Sequence, residues 1–130
     1  MKSVTAFFLC SLVLILRAMF AQQVTVHLDQ DDVWLLVMSI PDVLQVEARK
    51  GCPDLEQRLV APDRMYVMVR NTCPVSGNGK MGNYTVDLRT GRIWFDVERD
   101  KIIDSDHLER LRKLLLSRQE LRSRCGAPGH

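Results

Sequence analysis

The chain has 130 residues with 18 basic and 16 acidic side chains, a formal net charge of +2. Its first 21 residues hold Lys2 and Arg17 and no acid, so the 109 that follow carry 16 charges of each sign. A chain of that size forms one domain burying roughly two-thirds of its unfolded surface, with little room for a deep cleft. Electroneutrality argues against a dedicated nucleic-acid binder, which needs a net basic footprint.

Met1-Lys2 opens a run dominated by Phe7, Phe8, Leu9, Leu12, Val13, Leu14, Ile15 and Leu16, followed by Ala18 and Ala21. A positive start, about a dozen apolar residues and a small residue at the cut make residues 1–21 a secretory signal. The stretch is short for a membrane span, which needs ~20 residues. Met19, three positions before a cut at Ala21, is larger than usual there, and Arg17 sits late. An uncleaved membrane anchor is therefore the alternative. Cys10 lies inside the apolar run rather than after it, which argues against lipid attachment. The expected location is secreted or periplasmic.

Gln22 to Leu28 alternates loosely and reads as a short edge strand or a disordered start. Asp29 and Asp32 suit a helix N-cap and an acidic first turn. Val33 to Met38 is all apolar, as in a buried helix or a strand. Pro41 restarts a helix with Val43, Leu44, Val46 and Ala48 as apolar positions, and Gly51 is the expected C-terminal stop.

Cys52, Cys73 and Cys125 remain after the leader. Cys52 and Cys73 each precede a proline at the end of an element, and in an oxidising compartment they are the expected disulfide. Cys125 is either free or bridges two chains in a dimer. The chain has no C-x-x-C pair and its three histidines are scattered, which argues against zinc.

Strands are expected over 55–60 and 65–70, the second with Met65, Val67 and Val69 on one face. A Gly- and Asn-rich loop covers 74–83. Tyr84 to Asp96 then reads as a hairpin turning at Thr90-Gly91. A two-residue turn would pair Leu88 with Ile93, Val86 with Phe95 and Tyr84 with Val97 on one apolar face, leaving Trp94 on the other face opposite Asp87. Asp104-Ser105-Asp106 caps a last helix, with Asp106 and Glu109 spaced as a capping box. Leu108, Leu111, Leu114, Leu115 and Leu121 recur along it at helical spacing.

The segment Val86-Asp87-Leu88-Arg89-Thr90-Gly91-Arg92-Ile93-Trp94, preceded by a helix and strands, resembles the last hairpin of a PepSY-type domain. That hairpin reads valine-aspartate, a variable pair, threonine-glycine, then apolar residues. The resemblance spans about residues 40–97. It implies an extracytoplasmic binding or inhibitory module and carries over no catalytic residue. The cysteines, the loop at 74–83, the final helix and the absence of an alanine-rich pattern in the helix at 41–50 depart from the family.

Other constellations point to structure. Asp29, Asp31 and Asp32 lack the glycine and downstream glutamate of a calcium loop and suit helix capping. Gly77 to Gly82 lacks the Lys-Ser/Thr of a phosphate loop and reads as a connector. His107 follows Asp106 but has no nucleophile candidate beside it. Asn83-Tyr84-Thr85 is a glycosylation sequon, meaningful only in a eukaryotic secretory route.

These features define an α+β domain over 22–124: an antiparallel sheet of three to five strands covered by helices, ending in a C-terminal amphipathic helix and a flexible tail at 125–130. The expected function is non-catalytic binding of protein or peptide outside the cytosol. A membrane-anchored envelope structural protein and a small extracytoplasmic hydrolase are the alternatives. No catalytic residue, cofactor, metal or nucleic-acid partner is expected. Arg110, Lys113 and Arg118 on the last helix, with Trp94, form the candidate partner surface. Docking of the basic helix on an anionic membrane is less favoured, because the hairpin's apolar face needs a cover.

Overall fold

The computed structural model describes residues 25–73, 80–96 and 101–126. The leader and the last four residues lie outside these, as do 74–79 and 97–100. Helices α1 (Gln30–Met38) and α2 (Pro41–Ala48) precede strands β1 (Pro53–Ala61), β2 (Arg64–Asn71), β3 (Lys80–Asp87), β4 (Ile93–Phe95) and β5 (Ile102–Ile103), and α3 (Asp106–Arg124) closes the domain. The strands form one antiparallel meander in the order β1-β2-β3-β4-β5. This is an α+β fold. No helix among the described residues is long and apolar enough to cross a membrane.

Alternation along the strands sends one set of side chains towards the helices. Met65, Val67, Val69, Tyr84, Val86 and Ile93 from the sheet meet Val33, Leu36, Val37, Ile40 and Val43 from the first helices and Leu108 and Leu115 from α3. Each such side chain contributes about 1.5–3 kcal/mol when taken from water. The opposite set faces outward with no element above it among the described residues.

α1 is capped by Asp29 as the sequence predicts, and the structure makes the cap a reciprocal capping box with Asp32. The Asp32 N–H donates to Asp29 Oδ1 (2.9 Å), and the Asp29 N–H donates to Asp32 Oδ2 (3.2 Å). Ahead of it, residues 25–28 form no strand; the Leu28 N–H donates to the Leu88 carbonyl instead. Two helical expectations change. Of the four apolar positions in α2 only Val43 is fully buried, and Leu44 is exposed. The left-handed residue after α2 is Lys50 (φ 62°), not Gly51. Gly51 is needed for proximity: a Cβ there would sit 2.3 Å from Val46 Cγ1 and 2.7 Å from the Val46 carbonyl oxygen.

The disulfide joins Cys52 and Cys73 as predicted, leaving Cys125 free and exposed. It fastens the start of β1 to the end of β2. Asn71 Oδ1 accepts from the N–H groups of both cysteines (2.9 and 3.2 Å).

The expected loop at 74–83 is shorter than read, because β3 already begins at Lys80. The hairpin register also differs by two residues. Val86 faces Ile93, Thr85 faces Trp94 and Tyr84 faces Phe95; Val97 lies outside the described residues. The turn widens because Asp87 Oδ1 collects the N–H groups of Arg89 and Thr90 (2.8 and 3.1 Å), while the Leu88 N–H leaves the hairpin for the Asp63 carbonyl (2.8 Å). A slip of two keeps every side chain on its face, so the apolar set survives. Gly91 supplies the left-handed conformation of that turn (φ 69°).

α3 is capped by Ser105, whose Oγ accepts from the Leu108 N–H (3.1 Å); Asp106 is the first helical residue rather than the cap. Leu108 and Leu115 are buried and Leu111 is partly so. Leu114 and Leu121 are exposed, because a single stripe of this helix meets the core.

Candidate functional site

Because the described helices cover one side only, the sheet presents a second face that no described element covers. One row crosses all five strands there: Arg58, Tyr66, Thr85, Trp94 and Ile102, each opposite the next. The Arg58 guanidinium lies over the Tyr66 ring, 5.8 Å from its centroid, a favourable cation–π arrangement. Ile102 is half exposed. Beside the row, Arg64, Thr85, Trp94, Phe95 and Asp96 line a shallow hollow of about 410 Å³. The Thr85 hydroxyl donates to Asp96 Oδ1 (2.9 Å), so that carboxylate is already engaged. Arg64 makes no ion pair with any described residue. The hollow offers a flat indole, the Arg64 guanidinium and polar edges.

The other polar cluster is internal. Asp32 is fully buried, and its Oδ1 receives Arg118 from α3. Its Oδ2 accepts from Gln119 Nε2 (2.6 Å), which also donates to Asp29 Oδ2 (2.9 Å); Arg122 reaches the same Asp29 oxygen (3.3 Å). Burial alone would push the Asp29 carboxyl up. The Asp32 N–H, the Gln119 amide and the Arg122 and Arg118 guanidiniums outweigh it and hold Asp29 below its ordinary value. Asp29 and Asp32 thus cap α1 and dock α3 on it. Among the described residues no group of His, Cys, Asp and Glu could hold a metal ion.

The structure separates the residues expected to form one partner surface. Arg118 is spent on Asp32, and Lys113 pairs with Glu109 (3.2 Å). Arg110 is exposed on α3, while Trp94 stands on the face of the sheet turned away from that helix. Of the four, Trp94 alone belongs to the open-face row. Arg58, Tyr66, Arg64 and Ile102 were not singled out from the sequence. The available signal was the polar half of the β1 and β2 alternation, which looks like ordinary solvated surface until strand order aligns it with Trp94. Asn83 lies within β3, partly buried, with its carbonyl accepting from the Asp96 N–H (2.9 Å). His107 is exposed at the start of α3.

The chain matches no protein-family model, and no curated protein or solved structure is significantly similar to it.

Proposed function

We propose that this protein is a non-catalytic binding module, acting in a secreted or periplasmic setting, that takes a protein or peptide segment on its open sheet face. The observation that carries this reading is the row Arg58-Tyr66-Thr85-Trp94-Ile102 beside the Trp94 hollow. Aromatic side chains beside an arginine, on a sheet face that no described element covers, are the residue types that dominate binding energy at protein interfaces. The leader-like residues 1–21 and the Cys52–Cys73 disulfide support an oxidising compartment. The PepSY-type resemblance of the hairpin, which rests on sequence alone, adds inhibition as one form that such binding takes.

The test is affinity capture from the extracytoplasmic fraction, with wild type and a Tyr66→Ala/Trp94→Ala variant of unchanged melting temperature as parallel baits. A protein held by wild type and lost from the variant is the expected result. Equal capture by both baits would overturn the open face as the binding surface.

A further inference from the structure

Strand β1, nine residues long, is an edge of the sheet whose outer side no described strand pairs. Its backbone phase can be read from the structure. The Thr72 N–H donates to the Cys52 carbonyl (2.9 Å), so residues 52 and 72 form a bonded pair. Alternation then turns the backbone groups of residues 54, 56 and 58 towards β2. Those of Leu55, Gln57 and Leu59 point away from the sheet, where no described residue bonds them. An unpaired edge of this kind is a template for another strand.

We propose that the occupant is β1 of a second copy of this chain, paired antiparallel about a twofold axis through Gln57. Symmetric registers centred on a residue keep outward groups opposite outward groups; those centred between residues do not. Among the former, a centre at Glu56 or Arg58 sets like charges face to face, and one at Leu55 sets Asp54 against Glu56. The centre at Gln57 places Glu56 of each copy against Arg58 of the other, twice. These fall at the non-bonded positions, where side chains approach most closely. It also sets Leu55 against Leu59 on the covered side, twice. Leu59 is 58% exposed at the end of this edge, and the pairing would cover it. The bulge between Leu59 and Ala61 ends the ladder on one side and Pro53, which has no N–H, on the other. The result is a continuous ten-stranded sheet with an isologous interface, independent of which face takes a partner.

Glu56 and Arg58 are both exposed, Glu56 pairing with the exposed Arg70 (3.1 Å) and Arg58 lying over the Tyr66 ring on the open face, so either can be reversed without touching the core. Sedimentation of the purified protein is expected to show a dimer. Glu56→Arg and Arg58→Glu should each weaken it at least about tenfold, since each trades two attractive pairs for two repulsive ones. An equimolar mixture of the two variants should restore dimers, because every cross-strand pair is then again opposite in charge. The mixture forms them only if both variants are folded. A wild type that stays monomeric up to ~1 mM would overturn the proposal, as would dimers that survive both single variants, a mixture that stays monomeric, or a dimer abolished by Cys125→Ser, which would belong to that free thiol.

Discussion

Asp32, fully buried in the first turn of α1, is bound by Arg118, a residue 86 positions later on α3. A carboxylate removed from water needs compensation, and the guanidinium, the Gln119 amide and the Asp29 N–H provide it. Removing one side leaves the other stranded. Arg118→Met should cost about 3 kcal/mol in urea unfolding, the low end for a broken buried pair because the guanidinium itself stays partly in water. Arg110→Met and Lys113→Met, on exposed positions of the same helix, should stay within about 0.5 kcal/mol.

The two neighbouring aromatics of β4 should respond unequally to charge. Phe95 meets Tyr84 on the covered side, ring centroids 5.6 Å apart, and Phe95→Asp should lower stability by roughly 3 kcal/mol. Trp94→Asp, on the open side, should cost under about 1 kcal/mol. Thermal melts that rank them the other way would mean that the strand is turned over.

At the end of α2 the conformational and steric requirements fall on different residues. Lys50→Gly should stabilise by about 0.5–1 kcal/mol, because Lys50 holds a left-handed backbone that glycine adopts freely. Gly51→Ala should destabilise by roughly 2 kcal/mol, since its methyl would overlap the Val46 side chain and carbonyl. Denaturant midpoints for the two variants should move in opposite directions.

The Cys52–Cys73 disulfide closes a separation of 21 residues. Replacing both cysteines by serine should cost about 3 kcal/mol on the chain-entropy model. Calorimetry of the double variant beside wild type measures it.

Asp29 has a folded pKa below its unfolded value of 3.8. Its contribution is therefore complete above that value and is lost as pH falls through the lower, folded one. Asp29→Asn should lower stability near neutrality and flatten the loss of stability between about pH 5 and pH 2. Tyr84 behaves inversely: burial first, then the Asp42 carboxylate, raises its pKa above 10.0. The stability this represents is whole below pH 10 and disappears as pH rises through the folded value. Melting curves across both ranges, for wild type and Asp29→Asn, check the two signs.

The sequence by itself determined which strand side chains go inside. Met65, Val67 and Val69, the alternating hairpin residues, and the Asp29/Asp32 box act through spacing of two to four residues, where local geometry dictates the face. The proline-flanked cysteines also named their own partner. The hairpin register was decided elsewhere, because Asp63 claims the Leu88 N–H and Leu28 donates to the Leu88 carbonyl, contacts that alternation does not encode. The basic stripe of α3 was visible, but its division into an internal clamp (Arg118) and a solvated remainder (Arg110, Lys113) depends on where α1 lies in space. The open-face row and the free edge of β1 are likewise products of strand order. Residues 58, 66, 85, 94 and 102 acquire a common surface only when five strands lie side by side, a long-range arrangement set by burial of the opposite face.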